Sequence, residues 1–192
     1  MHSEIKILKL FLDYKNERCT IKKIAEKIGI NYRIAYEKVL LLEKEGLINI
    51  NKAGNANFCE FTYAFDSRVF QAENERREEI FKRKDIFVLQ RRLEELNFSF
   101  ITLLFGSYAK RKATKHSDID LLTIEGDEKE IKKVLALWPE KLHLTSVSYR
   151  DFIHMAKSRE FSVVSEAIKN NVILIGIEEY YRLLKNAGYS KD

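Results

Sequence analysis

Two carboxylates, Asp118 and Asp120, stand at the head of an apolar run built from Ile119, Leu121, Leu122 and Ile124. Strand side chains alternate, so residues two apart share a face and Ile119 and Leu121 turn the other way, into a core. Two acids side by side on an otherwise apolar strand are costly unless a cation or water neutralises them. A divalent metal held by neighbouring carboxylates and substrate phosphates is the usual resolution. The preceding apolar run, Ile101 to Phe105, ends in Gly106-Ser107. Gly106 lets the backbone turn sharply and approach a ligand, and Ser107 adds a hydroxyl and an N–H suited to phosphate. Lys110, Arg111, Lys112 and Lys115 lie between this turn and the acids, with no acidic residue among them. Strand, Gly-Ser turn, basic connector and Asp-x-Asp strand together describe a metal–triphosphate site.

Gly106-Ser107, ten residues, then Asp118-Ile119-Asp120 resembles the signature of the DNA polymerase β-like nucleotidyltransferase superfamily. Gly106-Ser107-Tyr108-Ala109 followed by Ser117-Asp118-Ile119-Asp120-Leu121 is most similar to the minimal nucleotidyltransferases, including the antitoxins of HEPN/MNT modules. The resemblance extends over about Asp85 to Lys185 and includes an Asn171-x-x-Leu174-x-Gly176 turn before an aromatic-rich end. It implies Asp118 and Asp120 as catalytic metal ligands, Mg²⁺ or Mn²⁺ as cofactor, and Gly106, Ser107, Lys110 and Ser117 as nucleotide contacts. Active members carry a third carboxylate on the next strand. Here that strand is Leu142 to Val147, without Asp or Glu. Alignment on Tyr149-Arg150-Asp151-Phe152 puts the missing acid at Thr145, with His143 next on the same face. His143 could act as a base in its neutral form; Glu140 and Asp151 flank the strand and need a bend to reach the site. Arg111 stands where family members often have Gly.

The elements that must position these residues follow from periodicity. Residues 66–96 contain neither Gly nor Pro, and the mixed charges from Gln71 to Lys84 (Glu73, Glu75, Arg76, Arg77, Glu78, Glu79, Lys82, Arg83, Lys84) predict a solvated helix with internal ion pairs. Ile80, Phe81, Ile86, Phe87, Leu89, Leu93 and Leu96 then offer an apolar face to the following sheet. After the acids come a helix over 127–137 ended by Trp138-Pro139, a strand over 142–147, and helices over 149–158 and 161–170. A buried strand over 172–175 and a last helix over 177–185 close the chain.

The N-terminal third has its own pattern. A helix over 4–14 precedes Thr20, an N-cap for a helix over 21–28; Gly29 closes it. Asn31 caps the next helix, 32–45, with a core stripe of Ala35, Val39, Leu41 and Leu42. Strands over 47–50 and 58–63 flank a loop of hairpin-turn composition, 51–57. Helix, helix-turn-helix and hairpin resemble a winged helix-turn-helix domain, in which the second helix of the unit enters the major groove. Asn31, Tyr32, Arg33 and Tyr36 would reach bases, and Lys22, Lys23 and Lys52 phosphates. Residues 1–64 hold 11 Lys and Arg against 8 Asp and Glu, a net +3, so DNA affinity would call for a homodimer.

Composition is consistent with this plan. The 192 residues carry 34 Lys and Arg against 29 Asp and Glu, a net +5 that permits a polyanionic partner without requiring one. Cys19 and Cys59 have neither metal-ligand spacing nor a disulfide framework, so buried free thiols are expected. His116, His143 and His154 lack zinc-ligand spacing. The polar start and the absence of a long apolar run predict a cytoplasmic protein with no membrane partner. The expected fold class is α+β: a winged helix-turn-helix over 1–65, a helical linker over 66–84, and a polymerase β-type mixed sheet flanked by helices over 85–192. Two functions fit. One is transfer of a nucleotidyl group, AMP for example, from Mg–NTP to a protein or small-molecule hydroxyl, beside a DNA-binding domain. The other is a DNA-binding regulator or antitoxin-like protein whose nucleotide domain is inactive and senses nucleotide or docks a HEPN-type partner.

Overall fold

Strongly apolar five- and six-residue runs build the sheet that carries the acids. In a computed structural model, which describes residues 3–189 apart from 16, 55, 115, 137, 139, 140 and 159, the chain divides into two compact units. One comprises residues up to Glu75 together with the stretch from Gly188; the other is Arg76–Ala187.

In the first unit, helix α1 (Ser3–Asp13) buries Ile5, Ile7, Leu8, Leu10, Phe11 and Leu12. A two-residue strand, β1 (Cys19–Thr20), is too short to be signalled by periodicity. The Thr20 hydroxyl accepts the Lys23 N–H at 3.3 Å and caps α2 (Ile21–Ile28), which Gly29 ends in the left-handed conformation. The Asn31 side chain accepts the Arg33 N–H at 2.8 Å and starts α3 (Tyr32–Lys44), whose buried residues are Ala35, Val39 and Leu42; Leu41 is half-buried. Strands β2 (Ile48–Ala53) and β3 (Ala56–Phe61) pair antiparallel as far as Ala53 and Ala56. The hairpin is thus longer than its apolar residues suggest, because ladder pairing can continue through exposed polar positions. The sheet order is β1-β3-β2, with Cys19 opposite Cys59. Both are buried free cysteines, and burial, reinforced by Cys19, pushes the Cys59 thiol up to about 12.

Helix α4 (Ser67–Phe81) begins at Asp66, whose carboxylate accepts the N–H groups of Arg68 and Val69. The division between the units falls inside it, after Glu75. The expectation of a solvated helix needs correction here. Glu73 and Arg76 are buried, and Arg76 donates to the Asn171 carbonyl at 2.6 Å. That acceptor lies 95 residues away in sequence, where no local charge pattern points.

In the second unit, α5 (Lys84–Glu94) leads into β4 (Ile101–Phe105), a four-residue helix α6 (Gly106–Ala109) and β5 (Ile119–Ile124). Then come α7 (Glu128–Ala136), β6 (Leu142–Val147), α8 (Tyr149–Ser158), α9 (Val163–Lys169), β7 (Asn171–Ile175) and α10 (Ile177–Asn186). The four-stranded sheet runs β6-β5-β4-β7; β5 and β6 are parallel, the other pairs antiparallel. Ile119 and Leu121 join Leu104, Ile86, Leu89 and Leu93 of α5, and Ile131 and Leu135 of α7, in one buried cluster. Helix α8 packs against both α9 and α10, and α9 and α10 also meet β4. The buried Phe152 and Tyr180 rings lie 6.3 Å apart, edge to face. Helices therefore flank a mixed sheet. Asn171 is the buried first residue of β7, one position ahead of the expected strand start; its amide donates to the Ala167 carbonyl at 2.6 Å and to the Tyr180 hydroxyl at 3.0 Å. Among the described residues, no helix is long and apolar enough to cross a membrane.

Candidate active site

The site is assembled where β4 ends and β5 begins. All five residues of β4 are buried, so the chain reaches Gly106 as a fixed rod. Gly106 takes φ +67°, in the left-handed region that disfavours a side chain. A Cβ built there would collide with the Asp120 carboxylate, lying 3.1 Å even from its Cγ. The antiparallel register pairs Phe105 with Asp120, which is why the turn and the acid meet. Glycine at 106 makes room for Asp120.

Asp118 sits one residue before β5 and Asp120 is its second residue. Their side chains are 29% and 28% exposed, enough for both to reach a ligand in solvent. The neighbouring strand sets their electrostatics. The Ile119 N–H donates to the Lys141 carbonyl at 2.9 Å, which holds Lys141 alongside Asp118. The Lys141 ammonium then donates to Asp118 Oδ2 at 2.8 Å. His143 Nε2 lies 3.7 Å from Asp118 Oδ2, and its Nδ1 lies 3.5 Å from Asp120 Oδ1. The register pairs Asp120 with His143 and Leu122 with Thr145. The position beside the second acid is therefore His143; Thr145 stands one pleat further along, correcting the expectation from alignment. Asp151 is turned to another task, its carboxylate accepting from the Ser148 hydroxyl at 2.7 Å at the start of α8. Glu140 and Lys115 lie outside the described residues.

The hydrogen bond from Lys141 holds the Asp118 carboxyl below the usual carboxylate range; burial opposes it, and the nearby charges of Lys141 and His143 add to it. A lowered value means that the pair's contribution is fully present above the ordinary carboxylate range and is lost as pH falls through the lowered value. Lys141→Met should return Asp118 to the ordinary range in a carbon-13 NMR pH titration. An Asp118 titration that does not move would contradict the role given to Lys141.

The other expected nucleotide contacts lie around the turn. Ser107 is half-buried in the first turn of α6. The Lys110 ammonium lies 3.3 Å from Glu166 Oε1 of α9. Ser117 closes the connector, its hydroxyl accepting the Thr114 N–H at 2.8 Å. Arg111 has φ +56°, a left-handed backbone at a residue other than glycine, and its guanidinium donates to Glu79 at 2.6 Å. Beneath them Tyr108 is buried, with the Arg83 guanidinium 4.5 Å from its ring centre. Arg83 was not singled out from the sequence, because only the fold brings it to the turn.

Among the described residues, no three His, Cys, Asp or Glu side chains are arranged to hold a metal ion. Two carboxylates on one face nevertheless match a hard divalent cation whose remaining ligands are phosphate oxygens and water. A cleft of about 420 Å³ lined by Glu125, Ser146, Val147, Ser148 and Asp151 opens at the opposite end of β5 and β6, away from these acids.

In the first unit the residues expected at DNA are all exposed: Lys22, Lys23, Asn31, Tyr32, Arg33, Tyr36 and Lys52. Several are already engaged. Asn31 caps α3, Arg33 pairs with Glu37 at 3.1 Å, and Lys23 lies 3.7 Å from Glu17. The Tyr32 and Tyr36 rings stack with centroids 6.2 Å apart.

No curated protein and no solved structure matches the chain. Residues 88–180, which carry β4, the Gly106 turn, β5 and β6, match the family model described as Polymerase beta, Nucleotidyltransferase.

Proposed function

We propose that the second unit binds a nucleoside triphosphate with Mg²⁺ or Mn²⁺ at Asp118 and Asp120 and transfers its nucleotidyl group to a hydroxyl of a protein or small molecule. The observation that carries this reading is the Asp118–Asp120 pair set against Gly106, whose missing side chain leaves room for Asp120. When bound, the ion supplies positive charge to the phosphates and orients them for displacement. Asp118 and Asp120 hold and orient that assembly; Gly106 and Ser107 let the backbone approach the phosphates, with Lys110 and Ser117 beside them. The acceptor oxygen bonds to the α-phosphorus as the bond to the bridging oxygen of the β-phosphate breaks, and pyrophosphate leaves with that electron pair. The acceptor's proton passes to His143, the proton-accepting side chain nearest the two acids.

The experiment is incubation with each labelled nucleoside triphosphate and Mg²⁺ or Mn²⁺. Label transfer that disappears in Asp118→Ala and Asp120→Ala supports the reading. A specific observation favours a second one, in which nucleotide is bound but not transferred: Lys141, just before β6, and His143 and Thr145 on it stand alongside the acids, with no carboxylate among them. Loss of an acceptor-activating group costs on the order of 10²–10⁴-fold in rate. Metal-dependent binding without label transfer would select that regulator or antitoxin-like reading, with a HEPN-type protein as the partner to test.

The first unit, with α2, α3 and the β2–β3 hairpin, we read as a winged helix-turn-helix. Its α3 N-terminus would enter the major groove as part of a homodimer, while Lys22, Lys23 and Lys52 approach phosphates. In a mobility-shift series, affinity should fall steeply with salt, and Lys22→Ala with Lys52→Ala should flatten the slope by about 2. A slope near zero in the unaltered protein would remove DNA as the partner.

A further inference from the structure

The face of β6 that continues from the two acids carries His143, Thr145 and Val147, with Lys141 just ahead of the strand and no carboxylate among them. Lys141 stands beside Asp118, His143 beside Asp120, and Thr145 beside Leu122. The two acids are thus matched, one for one, by an ammonium at 2.8 Å and an imidazole at 3.5 Å. A first divalent ion can take one oxygen from each carboxylate and complete its sphere with phosphate and water. A second ion about 3.5–4 Å from the first would need a further anionic ligand from the adjoining strand. It would instead meet the Lys141 ammonium, kept near Asp118 by the backbone bond from Ile119 to Lys141.

We infer that this site takes a single divalent ion, the one that arrives with the nucleotide, and that Lys141 supplies a fixed positive charge on the ground a second ion would occupy. The inference rests on the metal–nucleotide reading of Asp118 and Asp120 given above. It makes β6, not β5, the element that sets metal number. It also gives Lys141 a role separable from folding, since its side chain is 69% exposed and that of His143 is 57% exposed.

The test counts Mn²⁺ ions per full-length chain by electron paramagnetic resonance, in the presence of each α,β-methylene nucleoside triphosphate in turn. The unaltered protein should bind one ion per chain with at least one analogue. Lys141→Glu and His143→Asp each place a carboxylate on β6, and two ions in either variant support the inference. Circular dichroism confirms that the counted variants are folded. Two ions in the unaltered protein would overturn the single-ion inference while leaving the nucleotide reading intact. One ion in the unaltered protein and in both folded carboxylate variants would overturn the role given to Lys141. No ion with any analogue would overturn the nucleotide reading and this inference together.

Discussion

Asp118→Ala combined with Asp120→Ala should abolish metal-dependent nucleotide binding, with each single change weakening it by at least about 100-fold. Loss of groups that merely orient metal ligands costs about 10–100-fold in affinity, so loss of a ligand should cost no less. Both side chains are more than a quarter exposed and neither belongs to the apolar cluster of Ile119 and Leu121. The double variant should therefore stay folded. It should even relieve repulsion between two carboxylates on one face, leaving Lys141 and His143 without their acidic neighbours. Calorimetric titration of the nucleotide with and without Mn²⁺ measures the loss, and thermal unfolding checks the fold. Metal-dependent affinity within about threefold of the unaltered protein would remove both acids from the site.

Gly106→Ala should damage the site through geometry alone. Alanine at φ +67° is strained by roughly 1–2 kcal/mol, and its Cβ would push the Asp120 carboxylate away from the turn. The expected result is a melting temperature lower by roughly 2–8 °C and a nucleotide affinity reduced by about 100-fold. Gly46→Ala separates the two effects. Gly46 has φ +75°, but a Cβ there meets nothing within 4 Å. It should therefore cost comparable stability and leave nucleotide binding unchanged. Equal loss of nucleotide binding in both variants would show that strain, not the approach to Asp120, is what matters.

These two predictions use the part of the site that can be read along the chain. A period of two places Asp118 and Asp120 together and turns Ile119 and Leu121 inward, and a glycine after a buried strand marks the turn. Helix caps at Thr20 and Asn31 are equally local, each hydroxyl or amide reaching a backbone N–H two or three residues on. What could not be read is set by pairing across distance. The parallel register of β5 and β6 depends on how α7 crosses back over the sheet, and no residue on β6 announces it. Alignment on the downstream Tyr149 therefore pointed to Thr145, whereas pairing brings His143 to Asp120. The same holds for Arg76. Its neighbours in sequence are charged and suggest a wet helix, yet it is buried and donates to the Asn171 carbonyl at the start of β7. Strand β1 is only two residues long and exists because Cys19 and Thr20 pair with β3.

The site's balance of charge follows from that register. Asp118 and Asp120 at the head of β5 face Lys141 and His143 at the head of β6, so a cation bound at the acids would compete with Lys141 for Asp118. Asp118, already held ionised by that lysine, needs no proton removed before it can serve as a ligand near neutral pH.

The most direct measurement is therefore calorimetric titration of the full-length protein with each nucleoside triphosphate, with Mn²⁺ present and then with it chelated. Saturable binding of at least one triphosphate that requires Mn²⁺ and is lost in the Asp118→Ala, Asp120→Ala variant is the predicted result. Absence of metal-dependent binding for all four triphosphates would contradict the account.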